Sequence, residues 1–324
     1  MMRRLLLLCA MVLTVSCGAS QPASALTKIV VGMPYIPNIQ FAHFYTAQAK
    51  GYFRDAGLDV TFDYNFENDV VQRVATGNGI QFALASADSI LLARAQGLPV
   101  KAVMATSQAF PIAFMSKDSL PISTPADLVG KKIGIPGRFG ASYIGLKALL
   151  AAGNIAEDAV TIEEIGFNQV PVLLADKVQV ISGYANNEPI QLDAQGIALS
   201  VLRVSDFAPI ASDHLIVSEN FLQDNRQVVE QFVAALRKGM DAVQADPNAA
   251  YDDAVAFIPE LKPDAKAVTI QVLQATVGFW TANESALGVI HPKQWEATHG
   301  LLRTMDLLKS DVAVAEAYDL TIVK

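Results

Sequence analysis

Cysteine is nearly absent from this chain: 324 residues carry two, Cys9 and Cys17, both within the first 17 positions. A disulfide scaffold is thereby excluded. If the leader is removed before Cys17, no other cysteine is left for a thiolate metal site, a redox pair or a nucleophile. Histidine is scarce too. His43, His214, His291 and His299 show no i,i+4 pairing and no H-E-x-x-H run, so no zinc centre is expected. Charged residues make up only 17%, and 24 Lys+Arg face 32 Asp+Glu for a net −8. That balance argues against a nucleic-acid partner. After the leader no apolar run reaches the roughly 18 residues of a membrane span. Catalytic signatures are missing as well. No P-loop is present, and no G-x-G-x-x-G follows the first strand. Gly140-Ala141-Ser142-Tyr143-Ile144-Gly145 misses the nucleophile elbow by one residue. Glu163 and Glu164 are adjacent on a strand, so they face opposite sides. Nothing here demands an enzyme or a cofactor.

What the chain does have begins with a leader. Arg3 and Arg4 precede an apolar run from Leu5 to Val15, the layout of a secretory signal over residues 1–16. Leu13-Thr14-Val15-Ser16-Cys17 resembles a bacterial lipobox, which predicts cleavage before Cys17 and lipidation of its thiol. A plain leader cut near Ala23 or Ala25 is the alternative. Gly18 to Ser24 is a small polar tether. Loss of the two arginines takes the formal charge from −8 to −10.

The remainder is apolar enough for a substantial core, with 52% hydrophobic residues overall. Short β-type runs alternate with helical patterns, which predicts α/β architecture on parallel sheets. One series has strands at 28–32, 57–62, 81–85 and 100–105. A second has strands at 132–135, 160–165, 179–182 and 199–204. An internal repeat links them. Asn68-Asp69-Val70-Val71, Phe82-Ala83-Leu84 and Ala95-Gln96-Gly97 parallel Asn168-Gln169-Val170-Pro171, Ile181-Ser182-Gly183 and Ala194-Gln195-Gly196. Two similar α/β lobes follow, with ligand turns at the carboxyl edges of their sheets. Residues 17–27 are the lipidated tether, 28–110 with 212–324 form lobe one, and 111–211 form lobe two. From about Leu215 the chain reads as helical. Asp246-Pro247 starts one helix by the Asp-cap, Pro-first rule. These helices are expected as cladding on lobe one.

The turns offer binding groups rather than catalytic ones. After the first strand come Tyr35 and Asn38, then Phe41. Ser86 and Asp88 follow the third strand, and Gln108 lies where the chain passes between lobes. Phe139, Ser142 and Tyr143 open a helix behind a glycine turn, and Tyr184, Asn187 and Glu188 repeat the Ser86 turn. Asn38 and Asp88 have an equal claim to plain helix capping. Arg138 is the only cation in these turns, and the net charge is expected on the outer surface. Eight rings stand in or near them: Tyr35, Phe41, Phe44, Tyr45, Phe110, Phe139, Tyr143 and Tyr184. Many rings with a single cation favour a flat, neutral or weakly charged heteroaromatic ligand.

The run Pro37-Asn38-Ile39-Gln40-Phe41-Ala42-His43-Phe44-Tyr45-Thr46-Ala47, then Lys50-Gly51-Tyr52-Phe53 and Ala56-Gly57-Leu58-Asp59-Val60, resembles the thiamine-pyrimidine-synthase-like solute-binding proteins. The resemblance continues through Gly97-Leu98-Pro99-Val100, Leu128 to Gly134, Phe139 to Ser142, Asp246 to Ala250 and Trp295. It implies a periplasmic-binding-protein-like fold of two lobes and a hinge, serving an ABC importer. Family cargoes include thiamine pyrimidine precursors, sulfonates, nitrate and riboflavin, and Tyr35 to Tyr45 is most similar to the riboflavin-binding members. The implied partners are riboflavin, a membrane permease and its ATP-binding subunit. The protein would be a monomer, lipid-anchored on the extracytoplasmic face of the cell membrane. The family's enzyme branch makes the pyrimidine from a lysine-bound cofactor with an active-site histidine and a cysteine-rich run. The matching positions here are Ala85 and Ser89, which speaks against synthase activity.

Overall fold

The computed structural model describes residues 25–282 and 286–323, so the leader, Cys17 and most of the tether lie outside the described residues. The first sheet takes β1 (Thr27–Met33), β2 (Leu58–Tyr64), β3 (Phe82–Ser86) and β4 (Val100–Ala105). The second takes β5 (Ile112–Lys117), β6 (Lys132–Ile135), β7 (Thr161–Glu164), β8 (Val180–Tyr184) and β9 (Leu199–Arg203). β10 (Asp213–Ser218) then returns to the first. The orders are β2-β1-β3-β10-β4 and β7-β6-β8-β5-β9. Each place in one sheet has its counterpart in the other, and the sequence repeat falls on equivalent strands, β3 and β8.

Neither sheet is purely parallel. β10 runs antiparallel between β3 and β4, and β5 runs antiparallel between β8 and β9. The sequence reading missed both. Ile112-Ala113-Phe114-Met115 and Leu215-Ile216-Val217 are short, wholly buried apolar runs, and such runs carry no alternation to mark them as strands. They matter because they are where the chain changes lobes. Residues 106–111 lead from β4 to β5, and 204–212 lead from β9 back to β10. The two passages are tied together, since the Thr106 N–H donates to the Asp213 carbonyl at 2.9 Å.

Two short helices, not one, follow β1. α1 (Ala42–Ala49) and α2 (Tyr52–Asp55) are separated at Gly51, whose φ of +77° suits glycine alone at low cost. α3 (Glu67–Thr76) joins β2 to β3, and α4 (Ala87–Ala95) joins β3 to β4. In the second lobe α5 (Gly140–Ala152), α6 (Gln169–Leu174) and α7 (Glu188–Asp193) fill the equivalent connections. After β10 come α8 (Glu219–Asp224), α9 (Arg226–Ala245), α10 (Pro247–Ala254), α11 (Lys266–Trp280) and α12 (Pro292–Thr304).

α9 buries Val229, Phe232, Val233, Leu236, Met240 and Val243 along one face, and Phe232 stacks on Phe82 at 4.1 Å and on Phe53 at 4.8 Å. Asp246 caps α10 by accepting from Asn248 and Ala249, with Pro247 in the first turn. α11 clads lobe one beside α9 and α10 and does more. It packs against α7 of the second lobe, and its Thr276 Oγ1 accepts from Asn186 Nδ2 at 3.0 Å. Among the described residues no helix is long and apolar enough to cross a membrane.

Candidate functional site

The cleft between the lobes lies where β1, β3, β6 and β8 end, the carboxyl edge at which open α/β sheets take ligands. Its walls include Tyr35, Phe41 and Glu67 from lobe one, and Phe139, Phe167 and Tyr184 from lobe two. Thr106 and Ser107 of the first passage and Phe279 and Trp280 of α11 complete it. Rings from the two lobes meet directly. Tyr35 stands edge-on to Phe167 at 4.6 Å, and Phe66 contacts Phe139 at 5.2 Å and Phe167 at 4.8 Å. This packing leaves a free volume of about 120 Å³, below the roughly 300–1,000 Å³ of sites that hold drug-sized ligands.

Six of the residues singled out from sequence share the cleft wall: Tyr35, Phe41, Phe139, Ser142, Tyr184 and Glu188. The other six are placed differently. Asn38 caps the turn before α1, its Oδ1 accepting from the Gln40 N–H at 3.0 Å. Ser86 is buried behind Glu67, and Asp88 is fully buried at the start of α4. Gln108 donates through Nε2 to the Val289 carbonyl at 2.9 Å. Tyr143 turns to Glu157, which also binds Lys147 and Arg138. Asn187 is buried between Glu188 and Gln191.

Of the eight rings, Phe44, Tyr45 and Phe110 are core. The sequence reading passed over Phe66, Phe167, Phe279 and Trp280. The last two sit in a helix whose pattern signals only packing. Phe66 and Phe167 lie in turns after β2 and β7, equivalent places in the two lobes that the internal symmetry could have flagged together.

The cleft carries acids of its own, beside the charge expected on the outer surface. Glu67, Glu188 and Asp213 stand in the cleft wall, with Asp88 behind them, and no Lys or Arg joins them among the described wall residues. Arg138 is spent on Glu157 and Glu164. Burial, then the charge of Glu67, lifts the Asp213 carboxyl to about 7. Burial lifts Glu188 to about 7, against hydrogen bonds from the Tyr184 N–H, its own N–H and Asn187 that favour the charged form. Asp88 is driven well above the usual carboxyl range by burial first and Glu67 second.

The Tyr184 hydroxyl is held protonated by burial and by Asp213, Glu67, Glu188 and Asp88 around it. Burial raises Tyr35 as well, with Glu188 adding to it. His43, buried beside Trp280 at 4.8 Å, is pushed down to about 3 by loss of solvent and is neutral. The cleft thus offers ring faces, hydrogen-bond acceptors and neutral donors. Among the described residues no group of three or more His, Cys, Asp and Glu could hold a metal ion.

Several contacts cross between lobes. Glu67 Oε2 accepts from the Ala141 N–H at 3.1 Å, and Gln40 Nε2 donates to Asn186 Oδ1 at 3.2 Å.

Comparison with known proteins agrees with this architecture. The chain is 45% identical over 298 residues to the riboflavin-binding protein RibY of Chloroflexus aurantiacus, covering 90% of this chain and 85% of that one. It is 24% identical over 328 residues to a formylaminopyrimidine-binding protein of Halalkalibacterium halodurans, covering 96% of each. The alkanesulfonate-binding protein SsuA of Xanthomonas axonopodis pv. citri superposes with a TM-score of 0.73 at 16% identity, covering 92% of this chain and 99% of that one. That likeness shows the two-lobed solute-binding fold. Residues 38–250 match the NMT1/THI5-like family, and the chain belongs to it.

Proposed function

We propose that this protein is the extracytoplasmic solute-binding component of an ABC importer, and that it captures riboflavin between its lobes. The observation that carries this reading is the cleft itself: rings on both walls, acceptors between them, and no cation among the described wall residues. Isoalloxazine is a flat π-system suited to offset stacking on Tyr35, Phe139 or Phe167. Ribityl hydroxyls are donors suited to Glu67, Glu188 and Asp213. The RibY relative supports the same cargo. Because the rings now meet across a small volume, a flavin enters only if the lobes part and close again on it. Contacts to both lobes then favour the closed form that the permease reads.

The anchor is a lipid on Cys17, and the partners are a permease and an ATP-binding subunit. The protein acts as a monomer. It binds rather than transforms its solute: Ala85 and Ser89 stand where the family's synthases place lysine and histidine, and Ser89 is 3.0 Å from the Ser86 hydroxyl in this chain.

Riboflavin emission should be quenched on titration with the purified protein, with matching calorimetric heat at micromolar ligand. Unchanged emission without heat would defeat the flavin assignment. The small free volume favours one second reading, an aminopyrimidine cargo. Heat with formylaminopyrimidine and none with riboflavin would select it.

A further inference from the structure

Glu67 opens α3 in lobe one, yet its side chain serves both lobes. Oε1 accepts from the Ser86 N–H and the Ser86 hydroxyl, each at 2.7 Å, within lobe one. Oε2 accepts from the Ala141 N–H in the first turn of α5, in lobe two. That helix has no capping side chain of its own: Phe139 precedes it, and no acid lies in its first turn. Gly140 has φ of +64°, and a β-carbon there would stand 2.6 Å from Glu67 Oε2. A β-carbon there would displace the Glu67 carboxylate, and the positive φ favours glycine.

Free N–H groups and the helix dipole make such a terminus the natural seat for an anion. Here the protein's own carboxylate sits in it. Asp213 and Asp88 lie close enough to feel its charge, Glu188 shares the wall, and no Lys or Arg joins them among the described wall residues.

We propose that Glu67 is the residue that bars phosphorylated and sulfonated solutes from this cleft, by occupying with its own carboxylate the amino terminus of α5. An entering phosphate meets the Glu67 carboxylate where it needs donors. An uncharged hydroxylated solute meets acceptors it can use. The inference rests on the cleft being a solute site, and it narrows the cargo to the non-phosphorylated form of a heteroaromatic alcohol.

The test compares riboflavin with riboflavin 5′-phosphate in the wild type, Glu67→Gln and Glu67→Asp, by calorimetry and flavin emission. The wild type should favour riboflavin at least about 100-fold. Glu67→Gln, nearly the same shape without the charge, should narrow that ratio at least about tenfold, and Glu67→Asp should retain it. Wild-type affinities within threefold of each other, or a ratio unmoved by Glu67→Gln, would overturn the proposal. Thermal melts in inorganic phosphate at constant ionic strength supply a readout that needs no flavin. Phosphate should raise the melting temperature of Glu67→Gln by several degrees more than that of the wild type, and equal shifts would overturn the proposal. If neither flavin binds, the riboflavin reading falls, and the phosphate melts alone decide the role of Glu67.

Discussion

The two lobes repeat one topology but use it differently at the cleft. At the end of β3 the Ser86 N–H donates to a carboxylate, Glu67, at 2.7 Å, and at the equivalent end of β8 the Tyr184 N–H donates to Glu188, also at 2.7 Å. Glu188 follows Tyr184 by four residues and stays within lobe two. Glu67 comes from the preceding helix and reaches across to α5. The lobes differ in bulk as well. Lobe one is backed by α9 and α10, with Phe44, Phe53, Phe82 and Phe232 in one aromatic core. The outer face of the second sheet covers a smaller cluster of Ala113, Met115, Leu173, Val178, Ile181 and Leu192. The thick lobe is a base and the thin lobe a cover, and a carboxylate of the base holds the cover by a helix end.

The largest effect should separate the two cores. Phe232→Ala removes a ring stacked on two others and should cost about 3–5 kcal/mol, whereas Leu192→Ala in the thin lobe should cost about 2–3 kcal/mol. Urea unfolding monitored by circular dichroism measures both, and equal losses would erase the contrast in bulk.

A pair of glycines probes the second difference. Gly140→Ala meets Glu67 across the cleft and sits at φ of +64°, while a β-carbon at Gly183 meets Glu188 Cδ at 2.8 Å inside lobe two. Gly140→Ala should cost about 1–3 kcal/mol and speed hydrogen exchange at the Ala141 amide. Gly183→Ala should leave that amide protected. Loss of protection in both would show that the tie between lobes does not run through Glu67.

An effect of similar size is expected in the pH response of lobe one. The Asp213 carboxyl stands at about 7 in the folded protein, against about 4 for an ordinary aspartate. Between those values the folded state holds the proton more tightly than the unfolded chain. The stability from this group is full below about 4 and is lost as pH rises through 7. Asp213→Asn removes that loss, so the variant should gain about 1–3 kcal/mol on the wild type between pH 5 and pH 8. Melts at both pH values check it, and a difference independent of pH would place the titration elsewhere.

Parts of the site were legible because turn chemistry is local. Tyr35, Phe139 and Tyr184 stand at or a few residues past the ends of strands that the hydrophobic pattern marks, and rings at that edge have only the cleft or solvent to face. Tyr143 misled for the opposite reason. It lies one turn into α5, where helical rotation carries it to Lys147 and Glu157 on the outer side. Glu67 carries no local signal beyond that of any acid at a helix start, since its second partner is 74 residues away in the other lobe. His214 is similar: Nδ1 lies 2.8 Å from the Ser212 carbonyl and Nε2 accepts from Trp295 Nε1 at 3.2 Å, a link between β10 and α12 with no local sign.

Alone, the sequence determined the α/β class and the turns and helix starts that bring six residues to the cleft, because periodicity, capping and turn chemistry act within a few residues; its motifs carried the internal repeat and the family resemblance. The antiparallel place of β5 and β10, the use of α11 as a cleft wall and the gathering of four carboxylates around Tyr184 were decided only by tertiary structure. Each depends on pairing between segments far apart in the chain. The excess of acidic over basic residues could be counted along the chain, but which acids the cleft would bury had to wait for the lobes to meet.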